Sequence, residues 1–124
     1  MSSNKITENN INENNINITE SVFEQEVYDM LSRYIDPNRI RTQYKLGGFR
    51  IDIVILSLSQ EPIIAIECDG AKYHSSNEAY SWDLFRQQYL ERYGLKFYRI
   101  WSTNWWNNTD RELTKLVDFI RNEG

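Results

Sequence analysis

The apolar positions along the chain change period several times, and each change marks an element. From Ser21 onward, Phe23, Val27, Met30, Leu31 and Tyr34 recur at the spacing of one helix face. Ser21 followed by Glu24 has the form of a capping box, so a helix is expected to start near Ser21. Asp36-Pro37-Asn38 stops it. The period then drops to two. Arg39 to Leu46 and Phe49 to Ser57 read as strands, and Gly47-Gly48 between them reads as a two-residue hairpin turn. In the second strand Phe49, Ile51, Ile53 and Ile55 share one face, and Arg50, Asp52, Val54 and Leu56 share the other. Ser59-Gln60-Glu61-Pro62 is the next turn. Ile63 to Cys68 is short, apolar and rich in β-branched residues, the pattern of a buried central strand. After a loop from Gly70 to Ser76, Asn77 to Tyr93 reads as a helix with Leu84, Phe85, Tyr89 and Leu90 on its inner side and Gly94 as its stop. Lys96 to Trp101 is a fourth strand. Asn107, Asn108 or Thr109 caps a last helix, in which Leu113, Leu116, Val117 and Ile120 fall at i, i+3, i+4 and i+7. The order α-β-β-β-α-β-α predicts an α/β domain, a four-stranded mixed sheet flanked by helices.

The first stretch breaks from this regularity. Residues 1–19 hold seven Asn, no aromatic residue and no sustained period, which reads as a disordered leader or linker ahead of a domain spanning residues 20–124.

Composition narrows the class. A chain of 124 residues suffices for one domain with one core. No apolar run approaches the length of a membrane span, and the polar N-terminus does not have the form of a signal peptide. The single Cys68 cannot form an internal disulfide, so the expected location is cytoplasmic. A net charge of −4 argues against a protein that coats nucleic acid by charge alone. Locally the balance reverses: Arg33, Arg39, Arg41, Lys45 and Arg50 fall in a stretch whose one acid is Asp36. That stretch is either a phosphate-facing patch or a solvated edge.

The candidate chemistry sits in Ile63-Ile64-Ala65-Ile66-Glu67-Cys68-Asp69-Gly70. A buried strand that ends in two acids is costly unless something there binds charge. Alternation sends Glu67 and Asp69 to one face and Cys68 to the other, where it serves as a small core residue. Asp52, a third acid inside the preceding apolar run, would meet Glu67 across neighbouring strands. Such carboxylates suit a hard divalent cation, and without one they repel, so at least one should have a raised pKa. Glu24 has a simpler role available at the helix N-terminus.

The order of elements, with an acid in the second strand and Glu-x-Asp closing the third, resembles the PD-(D/E)XK nuclease superfamily, the restriction-endonuclease-like fold. The residues that carry the resemblance are Phe23-Glu24, Gly48 to Asp52, Ala65 to Ala71, Tyr73-His74, Asp83 to Arg86 and Arg99 to Trp106. Small nuclease-like domains at the C-termini of bacterial superfamily I helicases look most similar. Very-short-patch-repair endonucleases resemble it more distantly, with a histidine placed after a glycine as His74 follows Gly70. The resemblance implies that Asp52, Glu67 and the backbone carbonyl of Cys68 bind Mg²⁺, with Mn²⁺ able to substitute, and that Glu24 reaches the site from the first helix.

One position departs from the pattern. The superfamily usually carries lysine where this chain has Asp69. Asp69 could bind a second metal or hold His74, and His74 could act as general acid or base. Lys72 could replace the missing cation, or Lys72 and His74 could be plain loop residues. Asp83 and Arg86 are spaced for an ion pair, with a phosphate contact by Arg86 as the alternative. Trp101, Trp105 and Trp106 suit packing, or Trp105 could stack on an unpaired base. The expected DNA contacts are therefore Arg50, Lys72, Arg86 and Trp105. The function implied is a Mg²⁺-dependent DNA endonuclease domain serving repair or defence, beside a helicase or within a longer chain. The alternative is a non-catalytic domain of the same fold that binds DNA or braces a helicase.

Overall fold

A computed structural model describes the backbone of residues 11–70 and 77–123, and the side chains of residues 21–70 and 82–123. Helix α1 spans Ile11–Leu31 and buries Phe23, Val27 and Leu31, successive positions of one face. It begins ahead of the expected start, so Ser21 lies inside the helix and caps nothing. Residues 11–19, expected in the leader, fall within this helix. They contain neither Pro nor Gly, and extending a helix already nucleated by packing costs little per residue. The helix ends at Leu31, a turn ahead of the expected stop at Asp36-Pro37-Asn38, and leaves Tyr34 exposed outside it; beyond, Asp36 Oδ1 accepts the Asn38 N–H at 3.0 Å and Pro37 opens a 3₁₀ turn, Pro37–Arg39.

Strands β1 (Ile40–Leu46) and β2 (Phe49–Leu56) form the expected hairpin. Gly47 and Gly48 have φ of +58° and +84°, the left-handed pair that a two-residue turn matching the strand twist requires. Strand β3 (Pro62–Asp69) pairs antiparallel with β2 and parallel with β4 (Lys96–Trp101), which gives the sheet order β1-β2-β3-β4. The β3–β4 crossover carries helix α2 (Asn77–Arg92), and Gly94, at φ +87°, ends it. A short helix α3 (Ser102–Asn107), which the periodicity does not predict, precedes α4 (Thr109–Glu123). Asn108 caps α4, its Oδ1 accepting the Arg111 N–H at 3.2 Å, and Leu113, Leu116, Val117 and Ile120 are buried as expected.

Two cores lie on opposite faces of the sheet. On one, Ile53, Ile55, Ile64, Ile66 and Ile100 pack against α1, α3 and α4. On the other, Val54, Leu56 and Ala65 pack with Leu90 of α2 and Leu95. Ile51 belongs with this second group, although strict alternation would place it beside Ile53. The alternation of β2 is interrupted at Asp52, opposite Gln43, whose φ of +51° is unusual for a non-glycine residue. Helix α2 also differs from expectation. Leu90 faces inward, but Leu84 and Phe85 are exposed, because Asp83 and Arg86 occupy the sheet-facing side to reach charged partners.

Candidate active site where the central strands part

The last pair in the β2–β3 ladder is Ile53 with Ile66. Beyond it a side chain replaces the backbone pairing: Asp52 Oδ2 accepts the Cys68 N–H at 2.9 Å. The carboxylate thus satisfies a strand donor that would otherwise be orphaned where β2 and β3 part. Alternation along β3 puts Ile66 and Cys68 in the core against α1, and Glu67 and Asp69 on the α2 face. Glu67 is only 5 % exposed.

Each acid is met by a protein donor. Arg86 Nη2 of α2 lies 2.7 Å from Glu67 Oε2 and also donates to the Arg50 carbonyl at 2.7 Å. Arg99 of β4 places Nε 2.7 Å from Asp69 Oδ2 and Nη1 2.7 Å from Asp83 Oδ2. Glu24 Oε1 accepts from Gln43 Nε2 at 2.8 Å, and Gln43 Oε1 in turn accepts from Arg50 Nη1 at 3.4 Å. Glu24, Gln43 and Arg50 line a groove of about 510 Å³ between α1 and the hairpin. Asp83 and Arg86, spaced for a pair along α2, instead each reach across to the sheet.

Two guanidiniums do not balance this many acids. Burial pushes the Asp52 carboxyl up; the Cys68 N–H pulls it down, and the charge of Asp69 raises it again. Glu67 is pushed up to about 8 by burial and then by the charge of Asp52, against the pull of Arg86. The raised carboxyl expected from crowded acids is therefore present twice. Burial also pushes the Cys68 thiol well up, which keeps it protonated and makes it a core residue rather than a nucleophile.

The surplus of carboxylate oxygens has the donor chemistry of a Mg²⁺ site. Among the described residues, however, no group of three His, Cys, Asp or Glu side chains is arranged to hold a metal ion. The reason is visible in the contacts. Glu24, Asp52 and Glu67 are neighbours, but Gln43, the Cys68 N–H and Arg86 turn one oxygen of each onto the protein.

The other expected residues divide clearly. Arg50 is exposed at the groove, while Arg86 is engaged with Glu67. Trp105 is wholly buried and packs its ring 6.3 Å from that of Phe23, so base stacking is closed to it; α3 turns it inward, where full desolvation favours an indole. Lys72 and His74 lie outside the described residues. Two residues of the network, Arg99 and Gln43, went unassigned in the sequence. Arg99 had a signal, a cation inside the apolar run of β4 just as Asp52 is an acid inside that of β2. Gln43 had none, since its position depends on a backbone angle.

Residues 23–120 match a protein family described as REase_MTES_1575, a name that denotes a restriction-endonuclease-like domain. No curated protein and no solved structure matches the chain.

Proposed function

The chain belongs to the restriction-endonuclease-like family REase_MTES_1575, and we propose that it is a metal-dependent DNA endonuclease domain that hydrolyses phosphodiester bonds. One observation carries this reading. Asp52, half-buried, and Glu67, buried, are neighbours where β2 and β3 part, and each holds a carboxyl above its ordinary pKa through desolvation first and a neighbouring acid second. A fold that keeps such a pair without full compensation retains it for a cation.

Asp52, Glu67 and the Cys68 carbonyl would hold Mg²⁺, with Mn²⁺ able to substitute. When bound, such an ion polarises a phosphate and lowers the pKa of an attacking water. The chain's own residues do the rest. Arg50 presents an exposed guanidinium at the groove, suited to a phosphate oxygen. Gln43 fixes Glu24 beside Asp52, and Arg86 orients the Glu67 carboxylate while keeping part of its charge in check. Arg99 does the same for Asp69, which occupies the place of the superfamily's lysine. The sequence resemblance to helicase-borne nuclease-like domains supports a role in repair or defence beside a helicase.

The same contacts favour a second reading. Protein donors already engage Glu24, Asp52, Glu67 and Asp69, as in a domain whose acids have become structure and which only binds DNA. Cleavage of labelled single-stranded, duplex and branched DNA with Mg²⁺ or Mn²⁺ separates the two. Cutting by the wild type that Asp52→Ala abolishes supports the nuclease. DNA binding without cutting on any substrate supports the second reading.

A further inference from the structure

The β1–β2 hairpin changes faces halfway along. At its base, Ile40 of β1 and Ile53 and Ile55 of β2 lie in the core against α1. Toward its tip, Tyr44, Leu46, Phe49 and Ile51 pack with the core on the α2 side. Strict alternation would keep Ile40, Tyr44 and Leu46 on one side, and Phe49, Ile51, Ile53 and Ile55 likewise. The register does not slip, since Thr42 opposes Ile53 and Tyr44 opposes Ile51. Both strands therefore turn over together between these two pairs, at Gln43 and Asp52. Gln43 has a φ of +51°, in the left-handed region that residues other than glycine rarely enter.

This turn decides where two cations go. Lys45 and Arg50 oppose one another in the register and alternate with the apolar residues of the tip. In an uninterrupted hairpin both would point to the α2 side. Here the apolar residues take that side, and both cations turn to the α1 side, where they are exposed. Arg50 there borders the groove together with Glu24, Tyr28 and Gln43. The Gln43 side chain completes the placement. Its Nε2 donates to Glu24 Oε1 at 2.8 Å, and its Oε1 accepts from Arg50 Nη1 at 3.4 Å. A neutral amide thus stands between Glu24 and Arg50, where a direct ion pair would consume the cation.

We propose that Gln43 is a positioning residue for DNA: its left-handed backbone turns Lys45 and Arg50 to the Glu24 side, and its amide holds Arg50 ready for a phosphate. The inference rests on the nuclease reading for its substrate class and names what places the phosphate contact beside the acids. A side chain in this conformation costs stability, and such strain persists where function depends on it. Glycine would adopt the same angle freely but would carry no amide. A glutamine here serves both needs at once.

The test uses the whole chain in EDTA at low salt, so that binding is read without cleavage. Anisotropy follows the affinity for a labelled duplex, and for its single strand, as salt is raised. Each phosphate contact adds about 0.7–0.9 to the slope of log affinity against log salt. Arg50→Ala should lower the slope by that amount. Gln43→Met keeps the length of the side chain without the amide and should lower it as far. The two together should lower it no further, because both remove one contact. Lys45→Ala should lower the slope separately, in addition to Gln43→Met. Melting curves read the backbone: Gln43→Gly should melt above Gln43→Val, whose β-branch resists a positive φ. A wild-type slope in Gln43→Met overturns the proposal. So does a full further loss when Gln43→Met is added to Arg50→Ala, a Gln43→Val that melts at or above Gln43→Gly, or a wild type that binds neither DNA. The two readings fail separately. If Asp52→Ala abolishes cutting while Gln43→Met keeps the wild-type slope, the positioning role is wrong and the nuclease stands. If Gln43→Met lowers the slope as stated and no DNA is cut, the nuclease is wrong and the positioning role stands.

Discussion

Replacing Glu67 by Gln keeps the shape of the side chain and removes its ionisation. In the folded protein its carboxyl is raised from 4.5 to about 8. Below the unfolded value both states are protonated and the shift costs nothing. As pH climbs from 4.5 towards 8, the unfolded chain releases the proton while the folded chain keeps it, so stability falls. Above about 8 the loss is complete. At roughly 1.4 kcal/mol per unit, this gap corresponds to a loss on the order of 5 kcal/mol. Arg86 can follow the charge as it forms, so the measured loss is expected at about 2–5 kcal/mol. Urea denaturation of wild type and Glu67→Gln at pH 5, 7 and 9 isolates the effect, since titrations elsewhere cancel in the difference. The variant should gain on the wild type steadily from pH 5 to pH 9. For a domain of this size each kcal/mol is worth about 4–8 °C in Tm, so thermal melts should show the same trend. Mn²⁺ added at pH 8 should recover part of the wild-type loss, because an ion that binds only the folded, ionised site stabilises it. A difference that stays flat from pH 5 to pH 9 would refute the claim that burial and Asp52 raise this carboxyl.

Arg86→Met removes the guanidinium that holds the Glu67 carboxyl down, so it should cost about 1–3 kcal/mol at pH 9.5, where that carboxyl is ionised in the wild type, and less at pH 5, where it is protonated in both; paired melting curves measure both. Asp69→Lys sets an ammonium against Arg99 and should destabilise by about 2 kcal/mol or more, while Asp69→Lys with Arg99→Glu recovers most of that, in a double-mutant cycle read by Tm. Trp105→Ala should cost about 3–5 kcal/mol in urea denaturation. Trp105→Phe should cost less than that, because the buried indole N–H has no hydrogen-bond partner to lose.

Much of the fold was legible because its signals are local. The Gly47-Gly48 turn, the turn at Asp36-Pro37, the Gly94 cap and the α4 stripe each depend on a few adjacent residues and on steric rules that hold in any context. The β-branched run of β3 reads as central, and it lies between β2 and β4. Alternation along β3 alone put Glu67 and Asp69 on one face and Cys68 on the other. The errors arose where tertiary contacts overrode a local pattern. Ser21 and Glu24 have the form of a cap, but α1 runs through them, and Glu24 bonds Gln43 instead. Leu84 and Phe85 look like an inner face, yet α2 turns Arg86 to the sheet to meet the buried Glu67 and Asp83 to meet Arg99.

The sequence by itself determined the order of the four strands and of helices α1, α2 and α4, the hairpin, the central strand and the neighbourhood of Asp52 and Glu67. These follow from side-chain period and backbone sterics, which act over one or two turns of chain. Only the tertiary structure decided which charges meet. Glu67 and Arg86 are 19 positions apart, and nothing local distinguishes Arg86 from Arg99 as the partner of either β3 acid. That choice is set by the parallel register of β3 and β4 and by the side of α2 that faces the sheet. The interruption at Asp52 and the inward turn of Trp105 are likewise properties of packing. Each settles a desolvation cost that no stretch of sequence carries alone.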